Sequence, residues 1–108
     1  SVYADHSVVP EASLIAAPPE LDDHQAAALW HAYAMAYGQL VLQGRVGRDD
    51  VVLVTAASSA VGLAAIDIAK AEGATVIAVT RGSAKQRLLR EAGADHVIAS
   101  DEEDIAST

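Results

Sequence analysis

The sequence predicts an α/β fold: half of a doubly wound parallel sheet, strand order 3-2-1, preceded by a helix and, ahead of that, a short β segment. Three observations predict it. Short runs rich in β-branched residues, Val51-Val52-Leu53-Val54, Thr75-Val76-Ile77-Ala78-Val79 and His96-Val97-Ile98-Ala99, recur with helical stretches between them. The first of these is continuously apolar, as suits a strand covered on both faces in a parallel sheet. Each intervening helix closes on a glycine, Gly73 or Gly93, followed by alanine and the next strand, the joint that a left-handed helix cap makes. Strand, helix, strand, helix, strand gives two right-handed βαβ units.

From the start of the chain, Val2, Ala4, His6 and Val8 alternate with Tyr3, Asp5, Ser7 and Val9. That period of two predicts a strand, ended by Pro10. Leu14 and Ile15 predict a second short extended piece, closed by Pro18-Pro19. Asp22 with Gln25 three residues later reads as a capping box. From there to about Gln43 the spacing of Leu29 (or Trp30), Tyr33, Tyr37 and Leu40 (or Val41) predicts a helix, closed by Gly44 and Gly47. After the first strand of the sheet come a Ser/Ala loop and a helix over about 60–72, then the second strand, a helix over 83–92 and the third strand. Residues 101–108 open with Asp101-Glu102-Glu103-Asp104. They read as an exposed acidic end or the start of a further helix.

The chain has 108 residues, enough for one small core. Its net charge of −8 argues against general binding to nucleic acid or to an anionic membrane, while leaving room for one local phosphate site. Cysteine is absent, which excludes disulfides and a cysteine nucleophile and suits a reducing compartment. Phenylalanine is also absent and alanine is abundant, so the core is expected to be small and closely packed. No run of about 18 apolar residues predicts a membrane span, and the first residues lack the pattern of a signal peptide. The missing initiator methionine suggests processing or a piece of a longer chain.

The loop Thr55-Ala56-Ala57-Ser58-Ser59-Ala60-Val61-Gly62 joins a buried strand to a helix. A helix N-terminus presents free N–H groups and the positive end of a dipole, which attract phosphate. Ser58 and Ser59 can cap the helix or donate hydroxyls, and Gly62 allows close helix–strand packing. A dinucleotide fingerprint asks for three glycines, and Ala56 and Ser59 hold the first two of those positions. Taken alone, the loop reads first as a capped helix with a packing glycine, and second as a phosphate cradle. About twenty residues beyond Gly62, where an NAD site carries an acid for the ribose 2′-hydroxyl, the sequence has Thr80, Arg81, Gly82, Ser83 and Lys85. An arginine and a lysine suit a 2′-phosphate; the plainer alternative is a solvated basic helix face. Arg87 and Arg90 read as that solvated face.

Taken in order, Val51 to Ala56 with Gly62, Val76 to Arg81, and Gly93-Ala94-Asp95-His96-Val97-Ile98 resemble the medium-chain dehydrogenase/reductase superfamily, most of all its zinc-free quinone oxidoreductase branch. That branch reads A-x-x-G-x-x-G after the first strand; Ala56 and Gly62 match it, and Ser59 departs at the middle glycine. Tyr3-Ala4-Asp5 with Val8-Val9-Pro10 resembles the last strands of the family's catalytic domain. Ala26 to Leu40, with Ala36-Tyr37, resembles the linker helix leading into its cofactor domain, though Met35 stands where the family often has threonine. The resemblance implies that residues 1–20 are a β remnant of the catalytic domain, and that 21–108 are the linker helix plus the N-terminal half of an NADP-binding Rossmann domain. It implies hydride transfer from NADPH to a quinone or activated alkene in a longer protein, with the fragment inactive alone. Ser58, Ser59, Ala60, Val61 and Gly62 would hold the pyrophosphate. Thr80, Arg81 and Lys85 would hold the 2′-phosphate, and Tyr37 would border the nicotinamide. No catalytic side chain is assigned, and the location implied is cytoplasmic.

In the family the first strand is central, so here it is expected to leave a bare apolar edge and to favour a homo-oligomer. A non-catalytic, self-associating half-domain is therefore the second expectation. A third is a metal site built from His31 with His24 or His6, motivated by the seven-residue spacing of His24 and His31 and by a resemblance of His31 to a ligand position in zinc-dependent relatives.

Overall fold

In the computed structural model, which describes residues 3–107, Asp22 opens helix α1 (Asp23–Tyr37) as expected. The Gln25 N–H donates to Asp22 Oδ1 at 2.8 Å, and the Asp22 N–H donates to Gln25 Oε1 at 3.1 Å. The helical chain does run to Gln43, but its last six residues, Gly38–Gln43, form a wider π-helical turn. There the Gly44 N–H reaches back five residues to the Gln39 carbonyl at 2.8 Å.

Strands β1 (Val51–Val54), β2 (Thr75–Thr80) and β3 (His96–Ala99) form one parallel sheet in the order β1-β2-β3, which is the predicted 3-2-1. Val51 faces Thr75, and Ile77 faces His96. Helices α2 (Ala60–Ala71) and α3 (Gln86–Glu91) make the two crossovers. A single 3-10 turn, Ser83–Lys85, leads into α3. Gly73 and Gly93 adopt the left-handed backbone (φ 85° and 113°) that stops each helix and turns the chain back to the sheet.

Ile66 of α2, Val76 of β2 and Leu89 of α3 are fully buried between these layers. Around them, Ala57, Ala69, Ala74 and Ala78 complete a core whose small side chains bring the helices close to the sheet. Ala32 and Ala36 of α1 pack on Ala64 of α2 in the same way. The Tyr33 hydroxyl ties the two helices by donating to the Asp67 carboxylate. That hydrogen bond, with burial and the carboxylate charge, raises the Tyr33 pKa. At the amino ends of the strands, Asp95 Oδ2 accepts the Val76 N–H at 2.8 Å and the Lys70 ammonium at 2.9 Å. The backbone N–H foremost, then Lys70, holds the Asp95 carboxyl below its ordinary pKa.

The expected strand over residues 2–9 is not formed. Residues 3–9 are irregular, Tyr3 and Val8 stand out in solvent, and Val2 lies outside the described residues. Alternation names the two faces a strand would have, but a strand also needs a neighbouring strand to pair its N–H and C=O groups, and the sheet consists of β1, β2 and β3, with residues 3–9 outside it. The short extended piece expected at Leu14 and Ile15 likewise joins no sheet; a 3-10 turn, Glu11–Ser13, precedes it.

Candidate functional site

Parallel strands place all their carboxyl ends on one side, and there the turns after β1, β2 and β3 meet. Three backbone hydrogen bonds bind them: the Ala57 N–H donates to Val79 O at 3.1 Å, the Ser100 N–H to Thr80 O at 2.9 Å and the Asp101 N–H to Arg81 O at 2.9 Å. A cleft of about 680 Å³ opens between the turns, lined by Ala56, Ser58, Val79, Thr80, Arg81, Gly82, Ala84, Lys85, Ser100 and Asp101. This is where open α/β sheets bind ligands.

Four of the residues singled out from sequence come together here: Ser58, Thr80, Arg81 and Lys85. Lys85 Nζ donates to Ser58 Oγ at 3.4 Å, bridging the first and second turns. Thr80 is buried in the cleft wall. Arg81 and Lys85 are exposed, and the ion pairs among the described residues, Lys70–Asp95 and Arg87–Glu91, include neither.

Ser59 plays a different part. It is the N-cap of α2, and its Oγ accepts the Gly62 N–H at 3.0 Å. Its φ of −73° needs no glycine; Ala56, by contrast, takes the left-handed backbone at φ 47°. Capping leaves the Ala60 and Val61 N–H groups as first-turn donors. Gly62 is required for space, because a Cβ there would lie 2.6 Å from both the Ala56 and the Ala57 carbonyl oxygens. Ser59, Val61 and Gly62 line a second, smaller cleft of about 230 Å³ with Ala36, Gln39, Leu40 and the open edge of β1. Ala60 and Tyr37 line neither cleft; Tyr37 is exposed at the end of α1.

Ser100 and Asp101 were not singled out from sequence, although they follow β3 as Arg81 follows β2. Applying the carboxyl-end rule to the third strand would have found them. The four histidines are exposed, and among the described residues no group of three His, Cys, Asp or Glu could hold a metal ion. No helix among them is long and apolar enough to cross a membrane.

Residues 60–108 match the family described as zinc-binding dehydrogenase, although no donor set for a zinc ion is found among the described residues. The chain is similar to phthioceranic/hydroxyphthioceranic acid synthase of Mycobacterium bovis, 41% identical over 83 residues, covering 77% of this chain and 4% of that protein. It is also similar to acryloyl-coenzyme A reductase of Sulfurisphaera tokodaii, 34% identical over 96 residues, covering 89% of this chain and 28% of that protein. The crystal structure of Escherichia coli quinone oxidoreductase complexed with NADPH superposes with a TM-score of 0.79 at 33% identity, covering 84% of this chain and 28% of that one. The chain thus spans less than a third of each relative's length. Family match, sequence relatives and superposed fold agree with the order of the motifs: the chain belongs to the medium-chain dehydrogenase/reductase superfamily.

Proposed function

We propose that the chain forms the adenosine-phosphate half of an NADP(H) cradle, in an oxidoreductase that transfers hydride to a quinone or an activated alkene. One observation carries this reading. In a protein of net charge −8, Arg81 and Lys85 line one cleft at the carboxyl end of β2 without an ion-pair partner among the described residues. A 2′-phosphate offers the charge and the acceptor oxygens that such a pair binds; Thr80 forms the wall behind it. The first-turn N–H groups of Ala60 and Val61, at the positive end of α2, suit the pyrophosphate, with Ser58 beside them. The cap bond occupies the Gly62 N–H, so Gly62 holds that turn in shape, while Ser59, the acceptor in that bond, keeps its own O–H to donate to a phosphate oxygen.

The nicotinamide cofactor supplies the hydride when bound, and the protein binds and orients it. Ala36 and Gln39 flank Tyr37 and line the smaller cleft beside β1, which supports Tyr37 as a rim residue for the nicotinamide. The substrate class follows the reactions named for the quinone oxidoreductase and acryloyl-coenzyme A reductase relatives. Because the chain spans 28% of each, hydride transfer is proposed for a longer protein, in which residues 1–20 belong to a catalytic domain. A cytoplasmic location goes with this reading, as the cysteine-free chain suits a reducing compartment.

Calorimetric titration with adenosine 2′,5′-bisphosphate and with 5′-AMP tests the cleft. Trp30 lines a different groove, beside Leu14 and Ile15, so its fluorescence is a poor readout. The bisphosphate should bind more tightly, and Arg81→Ala should erase the difference. Equal affinity in the unmodified chain would refute the reading.

A second reading is favoured by the edge of β1, where Val51 is 63% and Leu53 52% exposed. It is that the isolated chain associates with itself through this strand.

A further inference from the structure

We propose that the Glu102 carboxylate, with Asp101 beside it, competes internally for the phosphate site, and so limits how strongly the cleft prefers a 2′-phosphate to a 2′-hydroxyl. The proposal rests on the phosphate reading above and adds the group that opposes it.

The turn after β3 is docked on the turn after β2 by the two backbone bonds from Ser100 and Asp101 to Thr80 and Arg81. That docking carries Glu102 across, and its Oε1 accepts the Ser83 N–H at 3.3 Å. Ser83 lies between Arg81 and Lys85 in the chain, so a full negative charge rests on the backbone of the turn that presents both cations. Asp101 lines the cleft itself. Neither acid closes an ion pair with Arg81 or Lys85 among the described residues. The Ser83–Glu102 bond is also longer than charge-assisted hydrogen bonds usually are. Glu102 is therefore near enough to repel an incoming dianion and held loosely enough to be displaced by it.

A 2′-phosphate meets this like charge, and its oxygens compete with Glu102 for the Ser83 N–H. A 2′-hydroxyl carries no charge there and escapes the penalty. Selectivity is a difference of affinities, so a charge acting on one ligand alone changes it. The position is exposed, so the effect is that of a screened surface charge rather than a buried one.

The test uses the same two ligands. In Glu102→Gln the bisphosphate should bind between about twofold and fivefold more tightly, the range of an exposed charge contact. Binding of 5′-AMP should stay the same, and the gain should shrink in high salt. Asp101→Asn, which leaves the Ser83 contact in place, should move bisphosphate binding in the same direction. Unchanged or weaker bisphosphate binding in Glu102→Gln overturns the proposal, as does equal tightening of both ligands. If the unmodified chain shows no preference between the ligands, the phosphate reading fails first and the competitor falls with it; a preference that Glu102→Gln leaves unaltered removes the competitor alone.

Discussion

Alanine at Gly62 should destabilise the chain, whereas alanine at Gly38 should stabilise it. At Gly62 an added Cβ would lie 2.6 Å from the Ala56 oxygen, 2.6 Å from the Ala57 oxygen and 2.8 Å from the Ala57 carbonyl carbon. All three are backbone atoms of the turn between β1 and α2, so no side chain can rotate away, and turn or helix must shift. Overpacking of this kind costs about 1–3 kcal/mol, and alanine returns about 0.5–1 kcal/mol of helix propensity. The net loss is about 1 kcal/mol, which in a domain of this size lowers Tm by about 4–8 °C. Gly38 has helical φ and ψ and nothing within 4 Å of the Cβ position. There the same change should gain about 0.4–1 kcal/mol, chiefly by restricting the unfolded chain. Urea denaturation followed by circular dichroism on both variants measures the signs. A Gly62→Ala chain as stable as the original would refute the close approach. Because a shifted turn also moves Ser58, the same variant should lose affinity for the bisphosphate.

Asp95→Asn should flatten the acid side of the stability profile. The folded state holds this carboxyl below 3.8, its ordinary value, so its contribution is present above the unfolded pKa and disappears as pH falls through the folded one. Urea midpoints measured from neutral pH to below about pH 4 should fall more steeply in the original chain than in the variant, and parallel curves would exclude the Val76–Asp95–Lys70 clasp as a source of acid sensitivity. Leu53→Lys should reduce self-association, since a charge on an open strand opposes edge pairing. Light scattering over a range of concentrations measures this, and a monodisperse monomer of the unmodified chain at the highest concentration removes the edge-pairing reading.

What could be read from the sequence was whatever is decided by neighbours along the chain. The Asp22–Gln25 box, the glycine stops at Gly73 and Gly93 and the β-branched runs are local signals, and each fell at or within a residue or two of its place in the structure. The parallel order followed from right-handed crossovers, which leave few alternatives once three strands and two helices are set. The failure at residues 3–9 has the opposite cause: strand formation there depends on a partner, and no periodicity reports whether one exists. The π-helical turn that continues α1 over Gly38–Gln43 depends on a hydrogen bond that reaches back five residues instead of four, a choice the apolar spacing does not encode. At the site, Arg81 and Lys85 were found because their charge is unusual for an acidic chain. Ser100 and Asp101 were passed over because nothing in their identity marks them; only the shared geometry of strand ends does.

The two clefts depend on the sheet in different ways, and this separates recognition from chemistry. The larger cleft is built from the carboxyl end of β2 and the turns that follow β1, β2 and β3, which backbone bonds tie together. It needs nothing beyond the three strands. The smaller cleft has the open edge of β1 as one wall, and Val51 and Leu53 on that edge are more than half exposed. Whatever pairs with β1 changes the smaller cleft and leaves the cationic one intact. On the function proposed above, phosphate recognition is therefore expected of the three strands alone, and a partner for that edge is expected to bear on the nicotinamide end. For these residues binding is accordingly the decisive measurement, and an absence of turnover would not count against the cradle.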